Sequence, residues 1–119
     1  MYSAPIAAGY LREVPGLRLC ADFSHWMCVH ESDLTDQPDA VELACCRADY
    51  LHARVGFAEG PQVPHPLAPE YAAELDRHLA LWKRILELRR AEGVGRLIVT
   101  PEQVDAIAPM TRFSNATSP

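Results

Sequence analysis

The most regular pattern in the chain runs from Glu70 to Glu92. Tyr71, Leu75, Leu79, Trp82, Ile85 and Leu86 recur there at three- and four-residue steps. That spacing predicts a long amphipathic helix with one apolar stripe, closed by an exposed Arg89; His78, a polar residue on the same helix, is expected to be exposed. Gly93 follows as a fitting C-terminal cap. Upstream, residues 4–13 predict a weaker helix that ends near Pro15 and Gly16. Leu17 to Asp22 reads as a short strand, and 23–37 as a loop. Asp36, two residues before Pro38, suits the cap and first turn of a helix running to about Ala48. Asp49 to Val55 is the second strand and Arg96 to Thr100 the third. The Gly- and Pro-rich stretch 56–69 is too long for a simple connector, and the tail 103–119 reads as irregular.

Strands alternating with helices predict an α/β fold with a parallel sheet. A parallel sheet wants both faces covered, and three strands leave two open edges. Residues 1–102 therefore read as part of a larger sheet. Within the second strand, side chains two apart share a face. Tyr50, His52 and Arg54 point one way, and Leu51, Ala53 and Val55 the other. In the third, Ile98, Thr100 and Glu102 lie opposite Leu97 and Val99.

Composition narrows the partners. The chain has 119 residues, 49% hydrophobic and 23% charged, which is ordinary for a globular domain. A formal net charge of -5 argues against a nucleic-acid partner, since phosphate binding wants a basic face. No apolar run approaches the length of a membrane span, and the N-terminus lacks the order of a signal peptide, so the expected compartment is cytoplasmic. Cys20, Cys28, Cys45 and Cys46 form no C-x-x-C pair and are expected to be reduced and mostly buried.

Candidate chemistry falls at strand ends. Asp22 ends the first strand, with His25 three residues on; the second carries His52 and Arg54; the third leads into Glu102. In parallel α/β folds, sites form at the carboxyl ends of strands. Asp, His and Glu at three such ends would suit a divalent metal, and Mn²⁺, Co²⁺, Mg²⁺ and Zn²⁺ all accept that donor set. Each residue also has a plainer reading: Asp22 as a helix cap, His52 as a packed strand residue, and Glu102 as the first turn of a helix. Trp26 and Trp82 read as packing groups, and His30 and Glu31 as solvent-facing.

Three segments resemble a known family. ADFSHW (Ala21 to Trp26), HARVGFAEGPQV (His52 to Val63) and TPE (Thr100 to Glu102) are similar to the sugar phosphate isomerase/epimerase family of xylose-isomerase-like TIM barrels. The resemblance runs from about Tyr2 to Glu102. It implies a partial (β/α)8 barrel comprising about the last three strands with their helices. It further implies a divalent metal held by Asp22, His52 and Glu102, with Glu102 as catalytic base, and His25 and Arg54 on the oxygens of a sugar or sugar phosphate. In such enzymes the metal stabilises an ene-diolate while a glutamate moves the proton. The family carries a further glutamate on the preceding strand and a Gly-Pro turn after TPE. Here the chain begins at Met1, and Gln103 and Val104 follow Glu102. A barrel of eight strands takes about 250 residues. The expectation is thus isomerase or epimerase chemistry incomplete in this chain. The expected partner is a second copy or a complementing barrel segment that supplies the missing part; the alternative is a non-catalytic, truncated half-barrel that oligomerises or is a remnant. Repair of abasic DNA, found elsewhere in the superfamily, is disfavoured by the acidic balance.

Overall fold

The computed structural model describes residues 2–93 and 97–101. Helix α1 spans Ala4–Glu13, β1 Leu19–Ala21, α2 Phe23–His30, α3 Pro38–Arg47, β2 Ala48–Ala53, α4 Ala72–Ala91 and β3 Ile98–Pro101. A single turn of 3-10 helix, Pro69–Tyr71, leads into α4. The strands form one parallel sheet in the order β1-β2-β3. The fold is thus α/β, an open three-stranded parallel sheet flanked by helices, and the described strands do not close into a barrel.

Local chemistry sets the helix ends. Ser3 caps α1 from an extended backbone, its side chain accepting from the Ile6 N–H, and Pro5 sits in the first turn. The α1 start is also held from outside, because the Ala4 N–H donates to His30 Nε2 at 3.2 Å. His30 is therefore an acceptor packed between helices, not the solvent-facing group expected from the sequence. Gly93, with φ of +80°, ends α4 in the left-handed region, as its position implies.

The segment 23–37 departs most from expectation. Its first half is helical, because Asp22 acts as N-cap and accepts from the His25 N–H, while Phe23, Trp26 and Met27 turn into the core. A helix of 8 residues is too short to show a convincing apolar period. Gln37, not Asp36, occupies the N-cap position of α3; the Asp36 carboxylate instead accepts from Ser32 Oγ at 2.8 Å.

The core lies on one face of the sheet. Ala21, Leu51, Ala53 and Val55 are buried together with Phe23, Val41, Ala44, Trp82 and Ile85 from the helices. The strand alternation holds as predicted: Tyr50, His52 and Arg54 on the opposite side are only partly buried. Cys20, Tyr50 and Ile98 form one row across that second face, and His52 pairs in register with Thr100. The Tyr50 hydroxyl and Thr100 Oγ1 lie 2.8 Å apart. Cys20 and Ile98 of this row are exposed.

Two readings of α4 need correction. His78 is fully buried, as are Leu81 and Trp82. Arg89 is also mostly covered, its side chain 13% exposed and its Nη1 2.9 Å from Asp49 Oδ1. Asp49 further accepts from Arg18 at 2.9 Å, so one carboxylate ties the starts of β1 and β2 to the end of α4. The cysteines are free, but only Cys45 is buried and Cys20 is exposed. Burial, with Glu42 nearby, pushes the Cys45 thiol up to about 12, which keeps it protonated as a packing group.

Candidate functional site

Asp22, Ser24, His52 and Arg54 meet at the carboxyl ends of β1 and β2. The cap of α2 places Asp22 there, and strand alternation places His52 and Arg54. Arg54 Nη2 donates to Asp22 Oδ2 at 3.1 Å, and Arg54 Nε donates to Ser24 Oγ at 2.8 Å. The Ser24 hydroxyl in turn donates to Asp22 Oδ1. The guanidinium therefore grips the carboxylate in a fork, one prong direct and the other through a fully buried serine. His52 Nδ1 stands 3.8 Å from Asp22 Oδ2 and its ring meets Tyr50 edge-on at 5.7 Å.

A cleft of about 430 Å³ opens beside this group, lined by Arg18, Cys20, Asp22, His25, Trp26 and Arg54. His25 is exposed at its rim, with the Tyr2 ring against it at 6.2 Å. Trp26 is both a lining residue and a packing group, edge-on to Phe23 at 5.8 Å. Of the residues predicted for a site, the structure thus brings Asp22, His52 and Arg54 together and sets His25 at the cleft mouth. Glu102 lies outside the described residues.

The described donors do not fit a dication by themselves. Among the described residues no group of three or more His, Cys, Asp or Glu side chains gathers as ligands. Both Asp22 oxygens already accept hydrogen bonds, one of them from a fixed cation. A divalent ion bound there would face the Arg54 guanidinium a few ångström away, and like charges at that range repel.

Sequence reasoning missed two participants. Ser24 falls within the segment expected to be a loop, although a serine two residues after a capping Asp is a signal for a shared polar network. Gly56 is the other. A Cβ built there would lie 2.7 Å from Ser24 Cβ and 2.9 Å from both Ser24 Cα and the Pro61 carbonyl oxygen. The backbone after β2 thus presses directly on the serine that bridges Asp22 and Arg54, and only glycine leaves room.

No family model, no curated protein and no solved structure matches the chain.

Proposed function

We propose that this chain is a non-catalytic α/β unit that self-associates, its parallel sheet completed by a second copy. The observation that carries the reading is the sheet: β1 and β3 are the edges of the described strands, and Cys20 and Ile98 in the row Cys20, Tyr50 and Ile98 are exposed. Parallel sheets occur almost only with both faces covered, and open edges invite a further strand. Because both edges belong to one parallel sheet, β1 of one copy can meet β3 of another in the same sense. Repetition of that head-to-tail contact closes into a ring if its rotation allows. The Asp22–Ser24–Arg54 ring supports the reading as an internal clamp joining the start of α2 to the end of β2.

Sedimentation equilibrium over a range of concentrations tests the proposal. The expected result is a discrete assembly heavier than the 13.2 kDa chain. Ile98, 48% exposed on edge strand β3, is the residue to change. Ile98→Lys places a charge on that edge and should shift the assembly toward monomer while the helical circular dichroism is retained. A wild-type chain that stays monomeric at all concentrations, with a sharp cooperative melt, would sink the proposal.

A second reading has one observation in its favour. Asp22, His52 and Arg54 gather where parallel α/β folds place their sites. It assigns the chain to metal-dependent isomerisation or epimerisation of a sugar or sugar phosphate, with Glu102 as base and His25 and Arg54 on substrate oxygens. It also requires Arg54 to yield Asp22 to the ion. Titration calorimetry with Mn²⁺ and Co²⁺, followed by a ketose panel with each ion, separates the readings. Weak or no binding and no turnover are expected. Metal-dependent turnover that disappears in Glu102→Gln would establish the catalytic reading instead.

A further inference from the structure

His78 is the one fully buried histidine among the described residues, and nothing in either functional reading uses it. It lies on the core face of α4, three residues after Leu75 and four before Trp82, whose ring centroid is 5.5 Å away. Its Nε2 accepts from the Gly56 N–H at 3.0 Å. A ring nitrogen that accepts carries no proton, so the proton of this neutral imidazole sits on Nδ1. Nδ1 is buried with no partner among the described protein atoms. Gly56 in turn bears on Ser24, the serine joining Asp22 to Arg54. A continuous chain of contacts therefore runs from the middle of α4 to the polar cluster at the strand ends.

We propose that His78 is an acid-released latch: in its neutral form it holds the Gly56 turn against Ser24 and keeps the Asp22–Ser24–Arg54 ring closed. The proposal is independent of whether the chain self-associates. Protonating Nε2 would set one donor against another at the Gly56 amide and place a cation in an apolar interior. Both effects favour withdrawal of the turn. The charged groups acting on the ring are Asp22 from the cap of α2, Arg54 from the end of β2 and Arg77 on α4. Burial is the largest effect and lowers His78 from 6.5 to about 4; Arg77 and Arg54 push the same way, and Asp22 opposes them. The rest of the loop has its own ties, since the Val63 N–H donates to the Val55 carbonyl at 2.8 Å and Phe57 and Gly60 exchange hydrogen bonds. Release is therefore local to the Gly56 contact.

The closed state binds the proton less readily than the open one, so the latch is at full strength above the ordinary pKa of 6.5 and weakens as pH falls toward about 4. Through that window the opening constant should rise by up to about tenfold per pH unit, roughly three-hundredfold overall.

Amide hydrogen exchange of the full chain between pH 4 and 8, corrected for the intrinsic pH dependence, reads this directly. Gly56 should lose protection with falling pH while the Ala44 amide in α3 does not. His78→Gln supplies a side-chain acceptor that does not titrate, and should flatten the Gly56 profile. In the wild type, the His78 ring nitrogens should show a protonated Nδ1 and an accepting Nε2, without titration near 6.5. The proposal fails if His78→Gln keeps the wild-type acid profile, if Ala44 opens together with Gly56, or if His78 titrates near 6.5. Should His78→Gln not fold, the wild-type ring titration and the Gly56 and Ala44 comparison decide alone.

Discussion

Trp82→Ala should lower the unfolding free energy by about 3–5 kcal/mol, the range for truncating a large buried aromatic. Trp82 is fully buried and lies in one core cluster with Leu75, Leu81 and Ile85 of its own helix and with residues of α3 and the sheet. A small domain has roughly 5–15 kcal/mol in total, so the variant should lose a large fraction of its stability. A companion variant separates area from polarity. The Trp82 indole N–H is buried with no acceptor among the described protein atoms. A buried donor without a partner costs about 1–3 kcal/mol, so Trp82→Phe removes that penalty while keeping most of the ring. It should fall within about 1 kcal/mol of wild type, much less than the loss of ring area alone suggests. Urea titration gives both values, provided the slope is unchanged between variants. A loss of under about 1 kcal/mol for Trp82→Ala would mean that α4 is not part of the cooperative core.

Gly56→Ala should destabilise by about 1–3 kcal/mol, although the same exchange often stabilises. The difference is contact. A methyl at Gly56 would stand 2.9 Å from two backbone atoms, Ser24 Cα and the Pro61 carbonyl oxygen. Backbone cannot turn aside as a flexible side chain does, so either α2 or the loop must shift. That shift falls on the serine between Asp22 and Arg54, and the Arg54 Nε resonance should move with it. Gly9 is the control, since it lies inside α1 and a methyl added there would meet nothing within 4 Å. Gly9→Ala should therefore stabilise by about 0.5–1 kcal/mol. Equal effects at the two positions in urea titrations would remove the case for a close approach at Gly56.

How much of the site was legible depended on the period behind each residue. His52 and Arg54 share a face because strand side chains alternate, and that follows from numbering alone. Asp22 was legible both as a strand end and as a cap, and it does serve as a cap. Whether its carboxylate turns to a metal or to Arg54 depended on a residue 32 positions away. His78 shows the opposite failure. Its spacing from Leu75 and Trp82 put it on the buried stripe, but its polar residue type argued for solvent. The acceptor role that makes burial tolerable is met by the Gly56 amide, 22 residues distant.

The amino-acid sequence by itself determined α1, α3, α4 and the three strands to within a few residues, their order, and the two faces of β2. Those depend on local caps, apolar periods and glycine or proline stops, which act within a turn or two of chain. Tertiary structure alone decided that Arg89 and His78 are covered, and that Arg54 reaches Asp22 with Ser24 between them. Each of these is a contact between elements. Its free energy depends on which surfaces meet and how much water leaves, and no local pattern encodes that.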